Sequence, residues 1–225
     1  MSEVIVIVEG QTEEAFIKQV IAPLLHSQNV FIKPLLIKTS KDAKGGAITY
    51  DRFKLTARNI LRTNNEVYVT TFLDFYGLDT DFPGYGVTLK NIDLYEKVAH
   101  LEESLHSAIV SLSCCRPNRF LPHIQPHEFE ALLFSDVDKL VSIEPSWRSN
   151  VGKLRRIRDS YPNPEHINNS FETKPSKRLI ENLSPTYRKT THGPRGIQRI
   201  SIEVIESECP HFKLWMDELR SLKVA

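Results

Sequence analysis

Cysteine is scarce in this chain and is not arranged to fix a fold. The 225 residues contain 3 cysteines, at positions 114, 115 and 209. The adjacent pair is too close for an ordinary disulfide, and no CxxC or Cys/His spacing predicts a zinc site. We therefore expect neither a disulfide framework nor structural zinc. The hydrophobic fraction of 40% is enough to build a full core instead.

Long apolar runs and nucleotide-binding motifs are also missing. No segment approaches the roughly 20 apolar residues that a membrane span needs. The N-terminus enters a strand with no charged region or cleavage site before it. We therefore expect a soluble, cytoplasmic protein with no membrane partner. Because neither GxGxxG nor a phosphate-binding loop ending in Lys-Ser/Thr occurs, a dinucleotide cofactor is not expected.

The chain also lacks a large net charge of either sign. The formal net charge is +1, so the whole chain creates no field that would indicate a nucleic-acid partner. The basic residues are nevertheless uneven, because the stretch 148–199 collects twelve of the Lys and Arg side chains with few acids between them. Two interpretations stay open: a solvated surface, or a local region that contacts phosphate.

The hydrophobic pattern predicts an α/β fold with a mostly parallel sheet and helices on both faces. Apolar, β-branched strands alternate with amphipathic helices, which is typical of parallel sheets. The predicted strands cover 4–8, 31–37, 67–73 and 121–124, with 39–46 as a loop. The predicted helices cover 12–25, 53–61, 91–107, 176–182, 196–206 and 210–222. We expect residues 1–135 to form the α/β core and 136–225 a mostly helical extension packed on it, in a single domain overall.

Two of the predicted strands end in a carboxylate. Glu9 follows the first strand and Asp74 closes the third. Ligands of open α/β sheets collect beyond the carboxyl ends of the strands, so both acids would open into one crevice if the strands are neighbours. Such oxygen donors suit Mg²⁺ or Mn²⁺. The alternative is that Asp74 is only a turn residue at a strand end.

Five blocks along the chain resemble a known family. Together they are similar to a TOPRIM-related bacterial family, domain-of-unknown-function family 4276, and to the TOPRIM domain of OLD-type nucleases. The blocks are VEGQTE (8–13), DFYGL with DFPG (74–84), QPHEFEALL (125–133), KPSKR (174–178) and CPHF (209–212).

The resemblance implies a TOPRIM-like fold and a set of metal-binding and catalytic residues. The usual Asp-x-Asp after the third strand is here Asp74-Phe75-Tyr76, so its second aspartate is missing, and Asp79 or Asp81 would have to compensate. OLD-type nucleases add a later acid and a lysine, and Lys177 matches the lysine. The implied catalytic residues are Glu9, Asp74 and Lys177. The implied ligands of Mg²⁺ or Mn²⁺ are Glu9, Glu13, Asp74, Asp81, Glu128 and Glu130.

The geometry of Glu128 and Glu130 depends on the local backbone. In an extended strand both side chains share one face. In an α-helix they would lie roughly 200° apart and could not ligate one ion. Because Pro126 precedes the block, we expect a helix to start near Glu128, with Glu128 rather than Glu130 facing the site. The alternative is that both are solvated acids at a helix start.

A candidate phosphate site lies in the basic stretch. Pro175 opens a predicted helix, and a helix amino end flanked by Lys and Arg attracts phosphate. The candidate phosphate-binding residues are Ser176, Lys177, Arg178 and Lys189. The alternative is an ordinary exposed first turn of a helix.

Two functions follow from the sequence and the resemblance. The first is a Mg²⁺- or Mn²⁺-dependent nuclease that hydrolyses phosphodiester bonds of DNA or RNA. By the resemblance it would act in bacterial phage defence with an ATPase partner. The alternative is a catalytically inactive TOPRIM-like module that regulates or binds nucleic acid, which the missing second aspartate favours.

Overall fold

Parallel strands in the order β2-β1-β3-β4 form the centre of the amino-terminal part of the chain. This computed structural model describes residues 2–37, 48–86, 93–168 and 173–222. The strands are β1 (Ser2–Val8), β2 (Val30–Leu36), β3 (Tyr68–Asp74), β4 (Phe120–Leu121) and β5 (Ile124–Gln125), which also pairs with β3. The β1–β2, β1–β3 and β3–β4 pairings are all parallel. The predicted α/β class with a mostly parallel sheet is confirmed. The predicted fourth strand is two short strands.

The central strand β1 is buried on both sides of the sheet. Val4, Val6, Ile7 and Val8 are all 0% exposed, as a continuous β-branched run between two neighbours requires. β2 pairs with β1 alone among the described strands, and Pro34 lies within it. Proline is tolerated there because an edge strand has one side without a ladder of hydrogen bonds.

One face of the sheet is covered by a continuous helical segment. It consists of α1 (Gln11–Phe16), a π-helical stretch (Ile17–Ile21) and α2 (Ala22–His26). The ring of Phe16 packs edge-on against Phe72 of β3, with 5.4 Å between centroids. The π-helical stretch includes Gln19, whose carbonyl lies four residues before Pro23 and would clash with the proline ring in a regular α-helix. Pro23 therefore changes the pitch of the helical segment without ending it.

The opposite face is covered by α3 (Tyr50–Thr63) and α4 (Leu94–Ser113). The helix predicted at 91–107 begins at Leu94 and runs further, since Ile109 continues the buried stripe and Cys114 ends it in the left-handed region at φ 54°. The loop predicted at 39–46 and residues 91 and 92 lie outside the described residues. The shared core includes Ile7, Phe53, Ala57, Leu61, Val69, Leu73, Phe82, Val98, Leu101, Leu105, Ile109 and Phe120.

The chain divides into two compact units. The first unit is residues 1–124 with 218–225, and the second is 125–217. The second unit is helical, which confirms the predicted helical carboxyl-terminal portion. The helix predicted at 196–206 is two helices, because Ser201 has a φ of 80° and interrupts it. After a 3₁₀ segment (Phe129–Ser135) come α5 (Val137–Val141), α6 (Val151–Asp159), α7 (Pro175–Asn182), α8 (Lys189–Ile200), α9 (Ile202–Glu208) and α10 (Pro210–Ser221).

Membrane-spanning helices are not found in the part of the chain that the structure describes. None of its helices combines the length and the hydropathy that a crossing needs.

A buried arginine joins α3 to β3 in the first unit. Arg119 is 3% exposed. Its guanidinium donates to the carbonyl oxygens of Leu61 at 3.0 Å and of Val67 at 3.0 and 2.8 Å, and also to that of Asn64. Because the last carbonyls of a helix have no partner within the helix, this side chain replaces the missing donors.

We expect Arg119→Met to lower the free energy of unfolding by about 2–4 kcal/mol, because it leaves several buried carbonyls without a donor. Arg116→Met is the matched control, since that side chain is exposed and makes one long bond of 3.4 Å to the Asn65 carbonyl. The control should change stability by no more than about 0.5 kcal/mol. Urea denaturation measures both, and equal losses would contradict the role given to Arg119.

Candidate functional site

Glu9 and Asp74 lie at the same edge of the sheet. β1 and β3 are adjacent and parallel, with Val8 opposite Phe72. Glu9 is the residue after β1 and Asp74 is the last residue of β3. Both side chains are partly buried. The two strands that carry these acids are therefore neighbours, as a shared crevice requires.

The Glu9 carboxylate lies against the turn that follows Asp74. That turn is a single 3₁₀ turn (Phe75–Gly77). A Cβ atom at Gly77 would stand 2.0 Å from Glu9 Oε2 and 2.6 Å from Oε1 and Cδ. Only glycine leaves room for the carboxylate there. The block that begins at Asp74 thus leaves the space that the Glu9 carboxylate occupies and also supplies its own acid.

Glu13 adds a third carboxylate to this end of the first unit. It lies in the first turn of α1 and is 8% exposed. Its Oε2 lies 2.6 Å from where a Cβ of Gly10 would be, so the side chain folds back toward the strand end. A carboxylate in this position is favoured by the partial positive charge of the helix amino end. Glu9, Glu13 and Asp74 therefore all lie in the segments that directly follow or end β1 and β3.

The acids further along the loop have local roles. Both carboxylate oxygens of Asp81 accept from the backbone N–H of Tyr50 at 3.1 Å, which caps the start of α3. Asp79 accepts from the backbone N–H of Thr80 at 2.6 Å. Tyr76, where the second aspartate would stand, is 39% exposed. The structure thus gives Asp81 a capping position, and it remains a metal ligand only as a prediction.

In the second unit, Glu128 and Glu130 are both buried. Their side chains are 5% and 1% exposed. Glu128 is extended, with φ −148° and ψ 154°, and the helix after it is a 3₁₀ segment that starts at Phe129. A helix does start beside Glu128, as expected, but it is a 3₁₀ segment and Glu128 itself is its extended amino-terminal cap. The interpretation as solvated helix-start acids does not fit this burial.

Two lysines neutralise this acid pair. Lys174 Nζ lies 2.9 Å from Glu128 Oε1. Lys189 Nζ lies 3.1 Å from Glu130 Oε2 and 3.8 Å from Glu128 Oε1. Tyr187 donates its hydroxyl to Glu130 Oε1 at 3.4 Å. The ammonium of Lys189 therefore reaches both carboxylates. The side chains of Glu128 and Glu130 are not on opposite sides of the backbone, as the roughly 200° between them in an α-helix would require.

The amino end of α7 also holds Glu128. The backbone N–H of Ser176 donates to Glu128 Oε2 at 3.0 Å. Burial would raise the pKa of the Glu128 carboxyl, but the charge of Lys189 and the hydrogen bonds from Ser176 and Lys174 outweigh it, so the pKa lies below its ordinary value of 4.5. The helix end predicted to attract phosphate thus binds a carboxylate of its own unit.

The four candidate phosphate-binding residues separate into two groups. Ser176 and Lys189 contact the acid pair. Lys177 Nζ lies 3.8 Å from Glu181 on the same helix. Arg178 donates to the Thr173 carbonyl at 2.6 Å and to the Tyr161 hydroxyl at 2.7 Å. Sequence reasoning did not select Lys174 as a site residue, although its place directly before the helix-opening Pro175 is a signal for a residue at a helix amino end.

The geometry defines an α/β protein whose adjacent parallel strands end in carboxylates. Over residues 8–220 the chain matches the family described as "Domain of unknown function (DUF4276)", and it belongs to that family. No curated protein and no solved structure matched the chain.

We expect Glu128→Gln to reduce the free energy of unfolding at pH 7 by about 1–3 kcal/mol, because it removes a buried charged acceptor from Lys174 and Ser176. A depressed pKa means that the carboxylate stabilises the fold fully above its ordinary pKa of 4.5, and this contribution is lost as the pH falls through the lower folded value. The difference between the parent protein and the variant should therefore shrink below about pH 4.5.

Urea denaturation between pH 7 and pH 4 measures this effect. Glu181→Gln is the control, because its side chain is 57% exposed and its lysine partner lies 3.8 Å away. The control should change stability by less than about 0.5 kcal/mol. A Glu128→Gln difference that stays constant across this pH range would contradict the assigned charge interaction.

Proposed function

We propose that the protein is a Mg²⁺- or Mn²⁺-dependent nuclease with a TOPRIM-like site, which hydrolyses phosphodiester bonds of nucleic acid. One observation carries the proposal. Glu9 and Asp74 come from adjacent parallel strands to one edge, and the Glu9 carboxylate lies against the turn at Gly77. The TOPRIM-like assignment itself rests on the resemblance of the sequence blocks.

The donor set fits a hard divalent cation. Three carboxylates in a partly buried setting offer only oxygen ligands, which is the chemistry that Mg²⁺ and Mn²⁺ prefer. Such an ion would be held by Glu9 and Asp74, with Glu13 beside them. When bound, it would lower the pKa of water and polarise a phosphoryl oxygen. Glu128 and Glu130 are already paired with Lys174 and Lys189. The proposed metal ligands are therefore the acids of the first unit.

The chain's own residues position these groups. β1 and β3 are rigid buried strands, so the carboxylates that follow them are held more firmly than carboxylates on a loop. Gly77 leaves the space that the Glu9 carboxylate fills. Lys177 remains in the proposal, by the resemblance, as the cation that stabilises charge on the transferred phosphoryl group. Lys177 lies in the first turn of α7, where its Nζ is 3.8 Å from Glu181 of the same helix.

The alternative function is a TOPRIM-like module that binds nucleic acid or regulates a partner without catalysis. It is favoured by Tyr76, which stands where the second aspartate is expected. A protein that binds nucleic acid but shows no metal-dependent cleavage would support it. Cleavage that depends on Glu9 would exclude it.

By the resemblance we also propose a cytoplasmic role in phage defence together with an ATPase. The test is whether an ATPase co-purifies with the protein from its native cells, followed by nuclease assays of that complex with and without ATP. Cleavage that the ATPase stimulates only when ATP is hydrolysed would support the partnership. Cleavage that the ATPase leaves unchanged would contradict it.

We expect Glu9→Gln to lower cleavage of plasmid DNA or RNA by about 100-fold or more, because it removes a charged ligand of the ion. Gly77→Ala should have a similar effect without changing any charge, since its methyl group would displace the Glu9 carboxylate. Both variants should also weaken Mn²⁺ binding in calorimetry, which is a readout separate from activity.

Gly86→Ala is the matched control, because a Cβ there meets nothing within 4 Å. It should leave both Mn²⁺ binding and cleavage unchanged. The nuclease assignment would be overturned by cleavage that persists in Glu9→Gln, or by Mn²⁺ binding that neither Glu9→Gln nor Gly77→Ala weakens.

A further inference from the structure

The second unit contains an open cleft between α6 and α7 whose charged side chains are all basic. Its volume is about 590 Å³. It is lined by Lys153, Arg156, Ile157, Ser160, Tyr161, Arg178 and Asn182. No acidic residue is among these lining residues, and three of the seven are cations. The cleft is distinct from the amino end of α7, which is filled by Glu128.

The cations of α6 divide into paired and unpaired ones. Arg155 pairs with Asp138 at 2.5 Å and Arg158 pairs with Glu208 at 2.6 Å. Lys153 and Arg156 are exposed and face the cleft, and neither side chain has a hydrogen bond or ion pair with the residues that the structure describes. The helix thus neutralises the arginines outside the cleft and leaves two positive charges inside it.

Arg178 supplies a third charge in a fixed orientation. Its guanidinium donates to the Thr173 carbonyl and to the Tyr161 hydroxyl, and its centre lies 5.5 Å from the Tyr161 ring. A guanidinium held in this way keeps further N–H groups in a fixed fork, which suits the paired oxygens of a phosphate. Because the side chain is already ordered, a ligand loses little entropy in using it.

We propose that this cleft binds the phosphodiester backbone of a single nucleic-acid strand. Two cations of α6 and one of α7 line the same open groove, and successive phosphates of one chain can neutralise all three. The Tyr161 ring edge and the polar side chains of Ser160 and Asn182 offer contacts to sugar and base beside the phosphates. A groove between two helices is concave, so it admits one strand more readily than a convex duplex. The choice of a nucleic acid over other polyanions rests on the proposed function.

The test is binding of a fluorescently labelled 16-nucleotide DNA strand, measured by anisotropy in EDTA at several salt concentrations. The double variant Lys153→Gln with Arg156→Gln should bind about 10-fold or more weakly at low salt. The slope of log affinity against log salt should fall by about 1.4, because each phosphate contact on a single strand contributes about 0.7. Arg156→Lys should keep the slope, since the charge remains.

The matched control is Arg155→Gln with Lys213→Gln, which removes the same charge from exposed residues paired with Asp138 and Asp217. It should keep most of the affinity and slope. An equal loss in this control, or no loss in the cleft variant, would overturn the proposal. Tighter binding to a duplex of the same sequence or to phosphatidylglycerol vesicles would overturn the assignment of a single strand.

The binding test is independent of the metal site. EDTA removes divalent ions, so the affinity for the strand is measured without the ion that the proposed nuclease site would hold. If cleavage is never detected but binding depends on Lys153 and Arg156, the cleft proposal is supported and the nuclease proposal fails. If cleavage depends on Glu9 but the cleft variant binds and cleaves normally, the nuclease proposal is supported and the cleft proposal fails.

Discussion

The burial of β1 between two parallel neighbours is the constraint from which the candidate metal site follows. Parallel neighbours require crossover helices, and these cover the two faces. With β1 and β3 in register, their carboxyl ends meet at one edge. The positions of Glu9, Asp74 and the turn at Gly77 are consequences of that pairing.

The second unit uses carboxylates in a different way. Glu128 accepts from the first turn of α7, and Glu165, which is 0% exposed, accepts from the backbone N–H groups of His211 and Phe212 at the start of α10. The positive end of a helix attracts any anion, including a side chain of the same unit. A basic helix start is therefore a phosphate site only when the chain does not fill it. The α6–α7 cleft differs because acids pair with the cations outside it and not with those lining it.

Much of the fold followed from local patterns in the sequence. The apolar run 4–8 predicted a buried central strand, and helical spacing predicted α3, α7 and α10 within a few residues. Boundaries were less predictable where backbone geometry outweighs periodicity. Pro23 produced a π turn instead of a helix end, and a positive φ at Ser201 divided one predicted helix into two. Neither effect is encoded in the spacing of apolar residues.

By itself, the sequence determined that carboxylates stand at the ends of two apolar strands. The apolar pattern of a strand and the order of residues along the chain are local properties. It also indicated that basic residues concentrate in the later part of the chain. Only the tertiary structure decided which of these charges meet. It brought Lys174 and Lys189 onto Glu128 and Glu130, left Lys153 and Arg156 facing a cleft, and set the Glu9 carboxylate against Gly77. Contacts between residues far apart in the chain depend on packing and backbone direction, which no local pattern specifies.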